Sequence, residues 1–454
     1  MDKVLNLLVH FFASVSRFSK VLAHLGIGRY DEWKPGKKLK ILLVGYNGAR
    51  NTGSDVRVIT IAKQIKELFG ANKVELTVMT LDKNSLKGYF DNDVKLLLYS
   101  SFFPWAAYRA CCEHHAAILC EGSTLKSTFA NALSLLMCET AGIMKSQNKP
   151  CIAYGSEIGK TEPLLKKTAA KLCKKTYFIT RTKGSLAALK KMGLNGHCGT
   201  DAAWLYNNAI SNEEAEKKLC EQGWDAQKPL LGIAVIDPFC WPVRASFVKW
   251  AKSGFKNDLP AQYDKCYFFS TSPERTEAYN RYINEISRGI NSFVKENDCF
   301  PVIIGMEKLD KNACLHLRRK ISGQSALFLS GDNTADVMTG VLHKLSVLIT
   351  SRYHAAVLAM QNGCPAVAVS IDERLDGIMK DFELDKNYLF HAGDKHLGIK
   401  IYNALSGLQK EDMEIRENIA LKADVHKRAQ NVMGIFMKKY FVNCLNAGKK
   451  VKRG

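Results

Sequence analysis

Apolar side chains at Val4, Leu8, Phe11, Val15, Phe18, Leu22 and Leu25 recur at helical spacing, with Lys3, Arg17 and Lys20 elsewhere. They predict an amphipathic helix at the start of the chain. Such a helix either packs on the globule or lies in the plane of a membrane surface, and both readings stay open. Asn6 and His10 interrupt the stripe, and only Lys3 precedes it, which fits a secretory signal poorly. From Leu39 the pattern changes to short apolar runs separated by amphipathic stretches, as expected of β-α units stacking into a parallel sheet.

The first set of predicted strands is Ile41 to Gly45, Val74 to Thr80, Ala116 to Cys120, Cys151 to Gly155 and Tyr177 to Thr180. Helical patterns such as Val58 to Phe69 and Phe129 to Met144 lie between them. After Asp201-Ala202-Ala203-Trp204 a polar helix, Glu213 to Gln222, interrupts the series. It restarts with Leu230 to Ile236, Pro301 to Gly305, Ala326 to Leu329, Val347 to Thr350 and Ala366 to Ser370. The expected fold is therefore α/β, with two Rossmann-like domains facing a cleft in the manner of glycosyltransferase-B enzymes and helices at the C-terminus. The expected boundaries are 1–36 for the N-terminal helix and linker, 37–228 and 229–394 for the two domains, the second of them donor-binding, and 395–454 for C-terminal helices and a basic tail.

Composition supports a folded chain: 454 residues, 46% apolar and 24% charged, are enough for more than one core. No apolar run reaches the roughly 20 residues that span a bilayer as a helix. The 65 Lys+Arg against 44 Asp+Glu give a formal charge of +21, which favours anionic partners. Zinc-finger spacing and an RNA-binding aromatic signature are lacking, and the one separate basic arm is Lys449-Lys450-Val451-Lys452-Arg453, so nucleic acid is not an expected partner. The 14 cysteines are scattered, many in apolar stretches and without a C-x-x-C pair. They read as mostly buried, reduced thiols, which fits a cytoplasmic location.

Four loops at predicted strand ends carry candidate chemistry, since parallel sheets collect ligand groups there. Gly45 to Asp55 holds Asn51, Gly53 and Asp55; its glycines permit close backbone approach, and its helix start favours an anion. It matches neither a P-loop nor a dinucleotide fingerprint, and Ser54 or Asp55 serves equally well as a helix cap. Thr350-Ser351-Arg352-Tyr353-His354 offers a guanidinium fork and an imidazole in the first turn of a helix. The helix N-terminus disfavours an imidazolium, so His354 is expected to be neutral and able to accept a proton, while a bound anion would favour the charged ring. Arg181, at the start of Arg181-Thr182-Lys183-Gly184-Ser185, is either an anion ligand or a surface charge. Glu121 either holds a hydroxyl or caps a helix.

Together these loops resemble the polysaccharide pyruvyl transferase family. The resemblance runs from about Leu39 to Leu389. It is most specific at Thr350-Ser351-Arg352-x-His354-Ala355 with the following Gly363-Cys364-Pro365-Ala366-Val367, and from Arg181 through Ser185, Leu189 and Gly193 to Asp201-Ala202-Ala203. Departures mark a divergent branch. The family's acidic pair in the first loop is reduced to Asp55, its Gly-Gly-Gly is Glu121-Gly122-Ser123, Thr182-Lys183 replaces the continuation of Arg-Asp, and Arg374 stands where a lysine is expected.

The resemblance implies a phosphoenolpyruvate donor, a glycan acceptor carried on lipid or free, and a pyruvate ketal as product. It requires no cofactor or metal. It implies His354 as the acid/base group, Arg352 as a donor ligand and Arg181 as a second anion clamp, with Ser351, Asn51, Gly53, Asp55 and Glu121 as further substrate-binding candidates. A lipid-linked acceptor would bring the protein to the inner face of the cytoplasmic membrane. Two alternatives remain open. One is a nucleotide-sugar glycosyltransferase of the same architecture, although the second half shows no clear acidic ribose site, with Glu307 and Asp310 the residues most open to that reading. The other is a non-catalytic protein that binds anionic glycans or a membrane surface.

Overall fold

A computed structural model of the chain describes residues 3–99, 103–128, 131–245, 249, 267–410 and 412–450. The predicted helix start at Phe129, the side chains of Lys3, Val4 and Leu8, and the basic tail from Val451 onward lie outside the described residues. The chain divides into two compact units. The first comprises Met1–Ala49, Ser54–Ala202 and Arg428–Gly454, and the second Arg50–Gly53 and Ala203–Lys427.

In the first unit, β1 (Leu39–Val44), β2 (Val74–Thr80), β3 (Val94–Leu98), β4 (Ala116–Leu119), β5 (Cys151–Ser156), β6 (Tyr177–Thr180) and β7 (Gly196–Cys198) form one sheet. Its order is β3-β2-β1-β4-β5-β6-β7, and every pairing is parallel. The in-and-out alternation of a half-buried strand is absent from β1: Ile41, Leu42, Leu43 and Val44 are all fully buried, because helices cover both faces. Helices Thr52–Phe69 and Asp412–Lys450 supply Val58, Ile61, Ile65, Met433, Met437 and Phe441 to the core on one side. Helices Phe103–Glu113, Asn131–Ser146, Pro163–Leu172 and Lys183–Lys191 cover the other with residues such as Cys111, Met137, Ala169 and Leu189.

The second unit repeats the plan. Strands β8 (Leu230–Ala234), β11 (Phe300–Gly305), β12 (Ala326–Leu329), β13 (Val347–Thr350), β14 (Ala366–Ser370) and β15 (Leu389–His391) are all parallel, in the order β12-β11-β8-β13-β14-β15. A small antiparallel pair, β9 (Arg244–Ala245) and β10 (Tyr267–Phe268), stands apart. In both sheets the strand order reverses direction beside the first strand, between β1 and β4 and between β8 and β13. Adjacent connections there leave on opposite faces and open a crevice at the carboxyl ends of the strands.

The N-terminal helix, Lys3–His24, is present and packs on helix Asn131–Ser146. The contact uses its small residues: Ser16, Ser19 and Ala23 are buried. The approach is close enough that a Cβ on Gly142 would lie 2.8 Å from Ser16 Oγ. Cys111, Cys112, Cys120, Cys138, Cys151, Cys173, Cys299 and Cys314 are buried thiols, and burial pushes Cys120 up to about 12. No described helix is long and apolar enough to cross a membrane.

Candidate functional site

The strand ends of the second unit bring together residues from distant parts of the sequence. Strand β13 ends at Thr350, whose hydroxyl accepts a hydrogen bond from the Arg352 N–H at 2.8 Å and fixes the turn into helix Tyr353–Met360. Ser351 donates its backbone N–H to Ala234 at the end of β8 (2.8 Å), and its hydroxyl meets the Tyr282 hydroxyl at 2.8 Å. His354 follows in the first turn of the helix, with its ring edge-on to Tyr353 at 5.1 Å.

Arg50–Gly53, from the first glycine-rich loop, clusters with this unit. Thr52 N–H donates to the Met306 carbonyl (2.9 Å), Lys308 N–H donates to the Arg50 carbonyl (3.1 Å), and Asn51 forms an antiparallel bridge with Glu307. The hydroxyls of Thr52 and Ser330 are linked at 3.0 Å. Arg50 takes up a left-handed conformation, with φ of 52°, to make this turn. The segment is thereby held against the carboxyl ends of β11 and β12. At its end Gly53 meets the imidazole of His354: a Cβ added to Gly53 would lie 2.0 Å from Nδ1. Asn51, Gly53, Ser351, Arg352 and His354 are thus neighbours within one unit.

Arg352 departs from the expected free fork. Its Nε donates to Asp310 Oδ2 at 2.8 Å, and its Nη2 donates to Glu307 Oε2 at 3.1 Å and also to Asp310 Oδ1. Asp310 is fully buried and Glu307 nearly so. Glu307 and Asp310 cap the short turn after β11 reciprocally, with Glu307 N–H donating to Asp310 Oδ2 (3.0 Å). Burial pushes the Asp310 carboxyl up to about 6, although the guanidinium of Arg352 pulls the other way. With both carboxylates ionised, the cluster carries one net negative charge, so Arg352 does not present an uncompensated cation to an anionic ligand. Sequence reasoning missed this partnership. Its local signal was the acidic pair three residues apart just after a strand.

In the first unit, Glu121 follows β4 at the point of reversal and accepts from the Tyr46 N–H (3.1 Å) and the Ser123 N–H (3.1 Å). It ties the first loop to the fourth. Asp55 is buried in the first turn of helix Thr52–Phe69. Arg181 is a buried cation and not a surface charge: its Nε donates to Glu157 Oε2 (2.8 Å) and its Nη1 to Asp201 Oδ2 (2.8 Å). The same Asp201 oxygen accepts from Arg57 Nη1 at 2.6 Å, and Arg57 Nη2 also donates to the Tyr154 and Gly155 carbonyls. Two cations and two carboxylates cancel, and all four are at least 96% buried by residue. Arg57 was also missed, and Asp201 was named only within the pattern that begins at Arg181, since nothing in their sequence surroundings pairs the two. Arg374 is likewise engaged, donating from Nε and Nη2 to Asp372.

Among the described residues no group of three or more His, Cys, Asp or Glu is placed to hold a metal ion.

The fold is that of the glycosyltransferase-B class, with two parallel-sheet α/β domains and C-terminal helices. Three solved structures show the likeness. A glycosyltransferase from Rickettsia africae ESF-5 has a TM-score of 0.56 at 12% identity, over 90% of this chain and 99% of that one. The UDP co-structure of MnaA from S. aureus has a TM-score of 0.56 at 12% identity, over 90% and 97%. The UDP-GlcNAc 2-epimerase from Neisseria meningitidis has a TM-score of 0.52 at 9% identity, over 89% and 100%. The family model for polysaccharide pyruvyl transferase matches residues 51–373, the bulk of the sequence, and the chain belongs to that family. Comparison with curated protein sequences gives no match.

Proposed function

We propose that this transferase moves the pyruvyl group of phosphoenolpyruvate onto two hydroxyls of one sugar in a glycan, forming a ketal and releasing phosphate. Protonation of the enol methylene makes the methyl group and leaves an oxocarbenium-like carbon. One sugar hydroxyl attacks that carbon, the carbon–oxygen bond to phosphate breaks, and the second hydroxyl closes the ring. Of the two hydroxyl protons released, one balances the proton gained by carbon and the other leaves with phosphate. Each step calls for a group that gives or takes a proton.

The observation that supports this reading is the meeting of His354 with Gly53 at the carboxyl end of the second sheet. It seats an imidazole in a helix first turn beside a backbone segment without a side chain. His354 is the proton-transfer residue in this scheme. Ser351, Asn51 and Gly53 shape its surroundings, while Glu121 and Asp55 are assigned to the acceptor side. The paired carboxylates alter the part given to Arg352. It becomes a ligand to donor anions when Asp310 carries its proton and the cluster is neutral. Arg181 is assigned a positioning part beneath Gly122, whose added Cβ would lie 2.9 Å from its Nη1. The acceptor is read as a lipid-linked precursor of an exopolysaccharide, assembled at the cytoplasmic face of the membrane.

The test is incubation of the pure protein with phosphoenolpyruvate and candidate glycans, following inorganic phosphate and a ketal-sized mass gain on the sugar. Release of a nucleoside diphosphate from nucleotide sugars, with phosphoenolpyruvate untouched, would replace this reading by glycosyl transfer. Glycan binding with no turnover of either donor would leave a binding protein.

A further inference from the structure

The N-terminal helix turns much of its apolar bulk outward. Its inward edge among the described residues is Ser16, Ser19 and Ala23 against Gly142 and the helix around it, with Val15 and Leu22 half-buried against the core. Phe11, Phe18, Val21 and Leu25 face solvent and are 41, 52, 54 and 70% exposed. Their spacing sets them along one side of the helix. A helix that served only to cover the domain would turn such residues inward, since each buried one is worth roughly 1.5 kcal/mol or more.

The surroundings are strongly basic, with Glu113 and Glu162 exposed at helix ends. Helix Lys3–His24 lies across helix Asn131–Ser146 and touches Phe103–Glu113 and Pro163–Leu172. The first of these two adds exposed Trp105. From Pro163 to Thr200 there is no Asp or Glu, while Lys166, Lys167, Lys171, Lys174, Lys175, Lys183, Lys190 and Lys191 are all exposed. Among the described residues none of these lysines is in an ion pair. Arg17, Lys20 and Arg29 extend the same field, since Lys3 to Tyr30 is also free of acidic residues. Crowding by Lys174, Lys175 and Lys171, after burial, pulls the Lys145 ammonium below its usual range.

We infer that this helical layer of the first unit is a docking face for an anionic lipid bilayer, with Phe11, Phe18, Val21, Leu25 and Trp105 entering the headgroup boundary and the lysines meeting lipid phosphates. Exposed aromatic and aliphatic side chains beside acid-free lysine clusters suit that boundary: one set is drawn out of water and the other to negative headgroups. A soluble polyanion would use the lysines and leave the apolar residues without a role. The inference gives the membrane contact of the proposed reaction a definite surface, but it does not depend on the chemistry.

The experiment is co-flotation of the full-length protein with two vesicle types, pure phosphatidylcholine and phosphatidylcholine with about one third phosphatidylglycerol. The wild type should float with the anionic vesicles and not the neutral ones. The triple variant Lys171→Glu, Lys174→Glu, Lys175→Glu and the double variant Phe18→Ser, Leu25→Ser should each lower partitioning roughly tenfold. All are exposed positions, and circular dichroism checks that they fold. Wild type remaining with the soluble fraction overturns the inference. So does binding that the Phe18 and Leu25 changes leave intact and heparin abolishes, which would mark a polyanion site. No turnover is read, so failure here and failure of the pyruvyl-transfer reading are separate results.

Discussion

Gly53 and His354 are separated by most of the chain, yet a single methyl group at Gly53 would overlap the imidazole, 2.0 Å from Nδ1. Gly53→Ala must therefore displace the ring or the Arg50–Gly53 segment. If the His354 ring carries the proton, turnover falls about 100-fold, because a displacement near 1 Å has that effect on a reacting group. Steady-state turnover measured beside a thermal melt makes the check; unchanged turnover would remove His354 from the reaction.

His354→Ala should lower turnover by about 10² to 10⁴, the usual contribution of a positioned acid or base. Stability should shift by less than about 1.5 kcal/mol, since the side chain is only half-buried. Rapid-quench phosphate release with a urea unfolding curve distinguishes the two effects.

Arg352→Ala leaves Asp310 and Glu307 buried around a missing cation. Its expected cost is about 3 to 5 kcal/mol of stability, and adding Asp310→Asn should restore part of that. Chemical denaturation of the single and double variants measures the difference. A variant that kept full stability would show that the ion pairs contribute little.

Asp310 also sets a pH dependence. Its carboxyl titrates at about 6 in the folded protein against an ordinary value of 3.8, so the native state holds this proton more tightly than the unfolded chain. Stability from that proton is complete below about pH 4 and is lost as pH rises to about 6, in total on the order of 3 kcal/mol. Asp310→Asn should flatten this part of the wild-type stability profile. In the same interval the affinity for an anionic donor should weaken as the cluster gains its negative charge. A wild-type profile that matched the Asn variant across this interval would refute the assignment.

Arg181→Met should act on folding before it acts on substrate. It strands Glu157 and leaves Asp201 to Arg57 alone, with an expected loss of about 3 kcal/mol and little change in the donor KM of the folded fraction. A tenfold rise in KM at unchanged stability would instead make Arg181 a direct anion ligand.

Much of the architecture was legible because buried parallel strands are written as apolar runs: Ile41 to Val44 and Val347 to Thr350 need no tertiary information to be found. Edge strands were not. Val94–Leu98 is largely exposed beyond Val94, and Gly196–Cys198 is short and half-buried, so neither was singled out. The helix after β1 begins at Thr52 and not Val58, because its first turn is made of small and polar residues. At the candidate site, the motif residues Ser351, Arg352 and His354 could be named from sequence, whereas the partners that neutralise Arg352 could not. Asp310 becomes its neighbour only when β11 is laid beside β8 and β8 beside β13. Arg57 and Asp201 illustrate the same limit, since their meeting depends on a sheet that joins positions 144 residues apart.

The N-terminal helix rests on other helices and nowhere forms part of the sheet. Detaching it would uncover Gly142 and the apolar faces of the helices beneath it, and no strand. Its loss would be a change to the helical layer alone, and residues 1–36 grafted onto another scaffold would leave the lysine-rich part of the proposed docking face behind.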